Sequence, residues 1–219
     1  MLELPNLDEL KPKKKAAMDQ YASHVLQDLW ICLLSREISL LGRKEVLGGK
    51  AKFGILGDGK EVPQVALARF FEKGDFRSGY YRDQTIMMAL GLCTVEDYFA
   101  QLYADAANDP FSGGRQMNNH FATPFIDEDD QMLDLTKSYN ISSDISSTGG
   151  QMSRALGLAL ASSKFKKIPG LKKMKGLSNA GKELVHVTIG DSSTSEGIFW
   201  EAMNAATVNK IPMIVSVWD

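Results

Sequence analysis

The sequence has few of the residues that build disulfide or metal frameworks, with two cysteines and three histidines among 219 residues. Cys32 and Cys93 lie far apart, in segments of helical pattern, and lack the short spacing that metal ligands need. This arrangement predicts buried, reduced thiols, which are typical of a cytoplasmic protein.

The sequence also lacks a charge excess and long apolar runs. Its formal net charge is −2, so no basic surplus indicates binding to nucleic acid. No apolar segment is long enough to span a membrane, and the N-terminus lacks the apolar core of a secretory signal. With 44% hydrophobic residues, the chain fits one soluble domain. We expect a polar arm over residues 1–15 and an α/β domain over residues 16–219.

What the sequence does contain is a strand–helix–strand unit near its C-terminal end. Residues 184–189 form a β-branched run typical of a buried strand, which stops just before Asp191. A segment with an apolar face at helical spacing follows, and residues 213–218 indicate a second strand. Two strands joined by one helix form a right-handed βαβ crossover, and ligands bind beyond the carboxyl ends of such strands.

Asp191 has two interpretations at that edge. It can cap the following helix, in which Ser192 and Ser193 offer further capping hydroxyls and Glu196 falls in the first turn, since Asp and Ser are the commonest caps. Alternatively, its carboxylate holds a metal ion that bridges to a phosphate bound at the helix start. Spacing alone favours the cap.

Arg82 lies between a predicted short strand, residues 76–81, and a predicted helix, residues 85–90. A guanidinium at a strand end is a good phosphate clamp, because it forms paired hydrogen bonds with phosphate oxygens. The competing interpretation is an ion pair between Arg82 and Asp83 or another nearby carboxylate. The residues alone favour the ion pair.

His120 is the best acid or base candidate among the three histidines, since His24 falls in a predicted helix and His186 in a predicted strand. It lies in a loop-rich segment, residues 108–144, of a length that is usually functional or disordered. A loop histidine is, however, more often only solvated than catalytic.

Residues 140–150 are rich in small side chains and lead into a predicted helix, residues 151–164. Small residues let the backbone come close to a ligand, so this approach to the helix is a candidate binding loop. Further helices are predicted over residues 15–42, 63–71 and 95–107, and the first contains Arg36 and Glu37 as a solvated or interface ion pair.

Several of these motifs resemble one family in combination. The matching residues around the C-terminal unit are Gly190, Asp191, Ser192, Glu196, Gly197, Glu201, Ala202, Asn204, Lys210, Ile211, Pro212 and Asp219. Together with Tyr81 and Arg82, this pattern resembles the thiamine-diphosphate motif of the 2-oxoacid dehydrogenases, in the α-module of their decarboxylating component. The resemblance implies a three-layer α/β fold with a mostly parallel sheet, incomplete at the C-terminus. Residues 114–117 (GRQM) are similar to branched-chain members.

The resemblance also implies roles for individual residues. Contacts to thiamine diphosphate would come from Tyr81, Arg82, Ser146, Thr148, Asp191, Ser192 and Ser193. Asp191 would hold Mg²⁺, and His120 is the candidate catalytic group. Asp219 occupies the first of two closing positions, of which the second usually supplies the other metal ligand, so its role as a ligand stays open.

The activity implied is decarboxylation of a 2-oxoacid with acyl transfer to the lipoyl domain of an acyltransferase. The resemblance is closest to fused bacterial enzymes, which implies a β half on the same polypeptide, a homo-oligomer, and no activity of this segment alone. Two alternatives stay open: another thiamine enzyme, such as an acetoin dehydrogenase or a transketolase-like one, and a non-catalytic α/β binding domain.

Overall fold

The computed structural model describes residues 12–219, which form seven helices and four strands. The helices are α1 (Pro12–Leu47), α2 (Glu61–Ala68), α3 (Gln84–Ala89), α4 (Val95–Leu102), α5 (Gly150–Lys167), α6 (Pro169–Lys172) and α7 (Gly197–Asn209). The strands are β1 (Phe76–Ser78), β2 (Asn140–Ile141), β3 (Val185–Gly190) and β4 (Met213–Trp218). Short 3-10 turns cover Leu135–Lys137 and Ser192–Ser195.

The four strands form one sheet in the order β2-β1-β3-β4, and every neighbouring pair is parallel. Strand β3 is central and pairs along its whole length with β4, so that Gly190 lies opposite Trp218. All six residues of β3 are buried, as expected for a strand covered on both faces. The predicted βαβ unit is thus confirmed as β3, α7 and β4.

Two apolar cores flank the sheet. Side chains of β3 that point to one face, Val185, Val187 and Ile189, pack with α5 and α7. On the other side, α1, α3 and α4 contribute a second core that includes Ile38 and Tyr98. These two cores make the molecule three layers, helix–sheet–helix, which confirms the predicted α/β fold with a parallel sheet.

Several predicted element bounds are wrong in ways that local contacts explain. Strand β1 ends at Ser78 rather than at residue 81, because the chain turns at Gly79 beneath the Arg77 guanidinium. Helix α4 stops at Leu102 rather than at residue 107, and Ala104 then adopts a left-handed φ of 56°. The predicted helix over residues 63–71 begins earlier, at Glu61, and ends earlier, at Ala68.

Helix α1 is longer than predicted, since it includes residues 12–15, which were assigned to the arm, and continues to Leu47. The rest of the predicted arm, residues 1–11, lies outside the described residues. Arg36 does not pair with Glu37; its Nε and Nη2 atoms donate to both carboxylate oxygens of Glu61, at 2.6 and 2.8 Å. This bidentate ion pair joins α1 to the start of α2.

One face of α1 is apolar and exposed. Its large apolar side chains that are more than a third exposed are Tyr21, Val25, Leu26, Leu29, Trp30, Leu33, Leu40, Leu41 and Leu47. Its C-terminal half contributes Ile38 to the core, with Leu34 and Val46 packed against it. Among residues 12–219, no helix combines the length and apolar character needed to cross a membrane.

Candidate active site

The predicted site segments, except the one that contains His120, lie beyond the carboxyl ends of the four parallel strands. Tyr81 and Arg82 follow β1, the loop with Ser146 and Thr148 follows β2, and Asp191 and Asp219 follow β3 and β4. Because parallel strands end at one edge of a sheet, these segments converge there. Residues that are more than a hundred positions apart in the sequence therefore lie on neighbouring loops.

Asp191 leaves β3 at this edge and continues into the 3-10 turn Ser192–Ser195. Its backbone N–H donates to the carbonyl of Trp218 at 3.1 Å, whereas its side chain makes no capping hydrogen bond. Helix α7 begins only at Gly197, so Glu196 is its N-cap and not part of its first turn as predicted. The capping interpretation of Asp191 is therefore wrong, and its carboxylate is exposed to solvent.

Asp219 lies next to Asp191, since the residues that precede them, Gly190 and Trp218, are register partners. Lys60 donates from Nζ to the carbonyl oxygen of Asp219, which brings the loop before α2 to the same edge. Within residues 12–219, no group of three or more His, Cys, Asp or Glu side chains is arranged to hold a metal ion. Asp191 and Asp219 therefore place one acidic residue after β3 and one after β4 at this edge.

Arg82 holds its guanidinium over the ring of Tyr81, 5.4 Å from the ring centroid. Its predicted competing partner, Asp83, is instead bound to Arg77, so the ion-pair interpretation of Arg82 with Asp83 is wrong. No carboxylate pairs with Arg82 among the described residues. The Arg82 carbonyl accepts a hydrogen bond from Gln64 at 2.8 Å, which anchors the segment while leaving the side chain available.

Tyr80 is a residue of this edge that sequence reasoning missed. Its ring is buried, and its hydroxyl has no hydrogen-bond partner among residues 12–219. A Cβ atom built on Gly190 would lie 3.9 Å from this hydroxyl and 3.8 Å from Ser193 Oγ, so both groups flank the end of β3. Burial, together with the charge of Asp83, raises the pKa of Tyr80 above its usual range, which keeps the hydroxyl a proton donor.

His120 and Ser146 are brought together, with Nε2 of the imidazole 2.8 Å from the serine hydroxyl. The other ring nitrogen, Nδ1, lies 3.2 Å from the Asn118 carbonyl, which can only accept a hydrogen bond. The neutral ring therefore carries its proton on Nδ1, and Nε2 accepts from Ser146. Gln101 fixes the His120 backbone through two hydrogen bonds of 2.8 and 3.1 Å. His120 is buried rather than solvated.

Thr148 and Ser192 are exposed, in the loop after β2 and the turn after β3 respectively. Gly149, directly after Thr148, adopts a left-handed φ of 73° as the N-cap of α5. A Cβ atom there would approach Ile198 Cγ2 to 2.7 Å, so glycine allows this loop to pack against α7. The loop with Ser146 and Thr148 consequently lies beside the turn that carries Ser192 and Ser193.

Sequence reasoning also missed a buried ionic cluster under the site. Arg77 pairs with Asp83 at 2.6 Å and contacts Asp144 at 3.2 Å, and all three side chains are almost fully excluded from solvent. Arg77 and Asp144 are 67 positions apart, and neither belongs to a recognisable motif. No local sequence signal indicates the pair, because only the parallel sheet brings it together.

Comparison with known proteins agrees with the family resemblance of the sequence. Residues 33–218 match the model of the family described as "Dehydrogenase E1 component". The chain is also 33% identical over 187 residues to the 2-oxoisovalerate dehydrogenase subunit alpha of Bacillus subtilis (strain 168). This alignment covers 83% of the chain and 47% of the relative, so the chain spans about half the length of that protein.

The family match covers most of the chain and includes every predicted site residue except Asp219. It contains β3, α7 and β4, on which the predicted resemblance chiefly rests. The predicted relationship to the decarboxylating component of the 2-oxoacid dehydrogenases is confirmed, and the chain belongs to the dehydrogenase E1 component family.

Proposed function

We propose that this chain is the α-module of an enzyme that decarboxylates a 2-oxoacid with thiamine diphosphate and Mg²⁺, and then transfers the acyl group to a lipoyl domain. One observation carries the proposal: the carboxyl edge of the sheet gathers Arg82, the loop after β2, and the adjacent Asp191 and Asp219. The similarity to a 2-oxoisovalerate dehydrogenase subunit and the GRQM segment support a branched-chain substrate.

The edge offers donors that fit a diphosphate. The Arg82 guanidinium has no carboxylate partner among the described residues, and the buried Tyr80 hydroxyl lacks an acceptor. An unpaired buried hydroxyl costs free energy, which an incoming phosphate oxygen would offset. Tyr81 would contact the same group beneath the Arg82 side chain, and Ser192 and Ser193 would add hydroxyls from the other side.

The carboxylates fit a metal that accompanies the diphosphate. Asp191 would bind Mg²⁺ directly, because a cation must lie between a carboxylate and a phosphate for both to be held at one site. Asp219 is adjacent and would serve as a ligand or as part of the surrounding shell. Mg²⁺ needs close to six oxygen ligands, so phosphate oxygens and water would complete the set.

Thiamine diphosphate, when bound, supplies the electron sink for the decarboxylation. The chain would orient it with Ser146 and Thr148, on the loop after β2. His120 would then exchange a proton through Nε2, the ring atom that accepts from Ser146 when the imidazole is neutral. Protonation reverses this bond, since Nε2 becomes the donor and Ser146 the acceptor.

The proposal extends to partners that complete the enzyme. A β half, on the same polypeptide or on another, would close the open side of the site. A lipoyl domain of an acyltransferase would then receive the acyl group in the cytoplasm, and the exposed face of α1 is consistent with assembly into a homo-oligomer.

Turnover by the full-length protein tests this proposal. We expect 2-oxoacid decarboxylation that requires thiamine diphosphate and Mg²⁺ and that acylates a lipoyl domain, with branched 2-oxoacids preferred. His120→Asn should lower kcat while leaving cofactor affinity near that of the parent. Acetoin cleavage or ketol transfer without lipoyl acylation would identify a different thiamine enzyme. A complete lack of thiamine diphosphate binding would identify a non-catalytic α/β domain.

A further inference from the structure

The buried Arg77 cluster, defined as Arg77, Asp83, Asp144, Thr188 and Trp218, lies directly beneath the carboxyl edge. Its members come from all the segments that converge there. Arg77 itself lies in β1, on the sheet face opposite to the α5 and α7 core. Its side chain is 1% exposed.

Arg77 reaches both carboxylates with one guanidinium. Nε and Nη2 donate to Asp83 Oδ2 at 2.9 and 2.6 Å, and Nη2 also reaches Asp144 Oδ2 at 3.3 Å. Asp144 Oδ1 lies 3.2 Å from Nη1 without hydrogen-bond alignment, so that contact is ionic. The guanidinium folds over Gly79, where any Cβ atom would come within 1.9 Å of Nη2.

Asp83 connects three site segments to the Arg77 guanidinium. It directly follows Arg82 and precedes α3. Its carboxylate accepts from the hydroxyl of Thr188 and, at 3.3 Å, from the indole N–H of Trp218. Thr188 is near the end of β3, and Trp218 immediately precedes Asp219. One carboxylate thus fixes the Arg82 segment against the ends of β3 and β4.

Asp144 connects the two remaining segments, which are the segment with His120 and the loop after β2. Its Oδ2 atom accepts from the Phe121 N–H at 3.1 Å, and its own N–H donates to the Phe121 carbonyl at 3.0 Å. Phe121 is the residue after His120, and Ser146 lies two residues after Asp144. The His120–Ser146 contact is therefore held from below by the same side chain that binds Arg77.

Stability alone does not account for this cluster. Removing a guanidinium and two carboxylates from water has a large desolvation cost, and apolar side chains of similar volume often stabilise a fold at least as well. Burial and the nearby charge of Asp83 raise the pKa of Asp144 above its ordinary value, while Arg77 opposes this. Apolar residues, however, cannot form the directional hydrogen bonds that attach the separate loops to one another.

We propose that Arg77 is a positioning residue that, through Asp83 and Asp144, sets the geometry of the cofactor-binding loops relative to one another. The inference rests on the proposed function, because it assigns to these loops a common ligand. Arg77 itself is fully buried and does not reach the edge. Its effect on the ligand is transmitted by the two carboxylates, in the manner of outer-shell partners of a binding site.

Two substitutions test the inference in the full-length protein with thiamine diphosphate and Mg²⁺ as the probe. Asp144→Ala releases the loop after β2 but leaves Arg77 neutralised by Asp83, so the fold should persist. Arg77→Lys keeps the charge but loses the fork that spans both carboxylates. We expect each to raise the cofactor dissociation constant by about tenfold or more. Asp144→Asn retains the oxygen that accepts from Phe121 and should restore near-parent affinity.

A second readout works without any ligand. In the 219-residue chain, Trp30 and Trp200 are 66% and 63% exposed, and both can be replaced by phenylalanine so that Trp218 is the only tryptophan of that chain. Because its indole N–H binds Asp83, Arg77→Lys should shift the emission of Trp218. An unchanged spectrum would contradict a connection between Arg77 and the end of β4.

The matched control is Asp75, a buried carboxylate at the opposite, amino end of the same strands. It lies 3.4 Å from His186 Nε2 and accepts from the Leu184 N–H at 2.7 Å. Asp75→Asn should lower the melting temperature as much as Asp144→Ala does, without changing cofactor affinity.

The outcomes separate the inference from the proposed function. The inference is supported if the parent binds the cofactor more tightly than Asp144→Ala and Arg77→Lys do, while Asp75→Asn has the affinity of the parent. Equal affinity in parent and Asp144→Ala overturns it, as does an equal loss in Asp75→Asn, since that would reflect general destabilisation. A parent that binds no thiamine diphosphate overturns the proposed function, and the inference with it.

Discussion

At the residue scale, the Arg82 side chain lies over the Tyr81 ring with no carboxylate beside it among residues 12–219. A half-buried guanidinium without an ion-pair partner contributes little to folding stability. A charge-assisted hydrogen bond to phosphate is worth roughly 1.5 to 3 kcal/mol. The same group should therefore matter far more for ligand binding than for stability.

We predict that Arg82→Ala raises the dissociation constant for thiamine diphosphate roughly ten- to a hundredfold, which corresponds to the loss of one such hydrogen bond. The melting temperature should change little, and Tyr81→Phe should have a smaller effect on affinity. Titration calorimetry and thermal unfolding of the full-length protein check both parts. Arg69→Ala is the control, since Arg69 pairs with Asp28 of α1 and lies outside the site. Equal affinity in parent and Arg82→Ala would count against the assignment.

Sequence reasoning found the residues of this edge that lie in motifs and missed those defined by tertiary contacts. Asp191 and Arg82 stand beside recognisable neighbours, so resemblance located them. Tyr80 is adjacent to Arg82, yet its buried, unpaired hydroxyl depends on the end of β3, far along the chain. The contact between His120 and Ser146 was likewise invisible, because it requires the loop after β2 to fold back.

At the element scale, the junction of α1 and α2 depends on the Arg36–Glu61 pair. Glu61 is buried and also accepts from the Gly59 N–H at 3.1 Å. Burial acts to raise the pKa of Glu61, but the Arg36 hydrogen bonds and the backbone N–H groups outweigh it, so the pKa lies below its ordinary value of 4.5. A depressed pKa means that the ionised carboxylate stabilises the fold above that ordinary value. This stabilisation is lost as pH falls through the lowered pKa.

We predict that Glu61→Gln lowers the free energy of unfolding at pH 7 by about 1 to 3 kcal/mol. The difference from the parent should shrink below about pH 4.5, as the parent carboxylate becomes protonated. Urea unfolding at several pH values measures both. Asp58→Asn is the matched control, because Asp58 binds Arg43 of the same helix in a more exposed pair. A difference that stays constant with pH would exclude the ion pair as its cause.

Element types were predictable from the sequence, whereas their ends were less so. Strand β4 has the predicted bounds, because Pro212 and a β-branched run define its start clearly. Helix α4 ended early since Ala104 turns left-handed, which no local signal indicates. The parallel pairing of β3 with β4 followed from the βαβ unit, but the strand order did not, because β2 is only two residues long and carries no pattern of its own.

At the scale of the whole molecule, the described fold leaves an apolar face of α1 uncovered. Leu26, Leu33, Leu40 and Leu47 recur at every seventh position and are all exposed. A seven-residue apolar repeat favours packing against another helix. Large apolar patches on a surface usually mark association sites.

We predict that the 219-residue chain associates at micromolar concentration through this face. The double substitution Leu26→Glu and Leu33→Glu should shift it to a monomer, because burying two carboxylates in such an interface is unfavourable. Light scattering coupled to size-exclusion chromatography gives the mass. Val208→Glu is the control, since Val208 is 73% exposed on α7 and outside the face. A parent chain that is monomeric throughout would contradict the prediction.

We propose the carboxyl edge of the sheet as a site for thiamine diphosphate held through Mg²⁺ at Asp191. Calorimetric titration of the cofactor into the full-length parent and into Asp191→Asn, each with and without Mg²⁺, is the decisive measurement. Glu96→Gln, an exposed carboxylate on α4, is the control. We predict saturable, Mg²⁺-dependent binding by the parent and the control, and loss of that binding in Asp191→Asn with an unchanged melting temperature. The same affinity in parent and Asp191→Asn, or binding that ignores Mg²⁺, would contradict it.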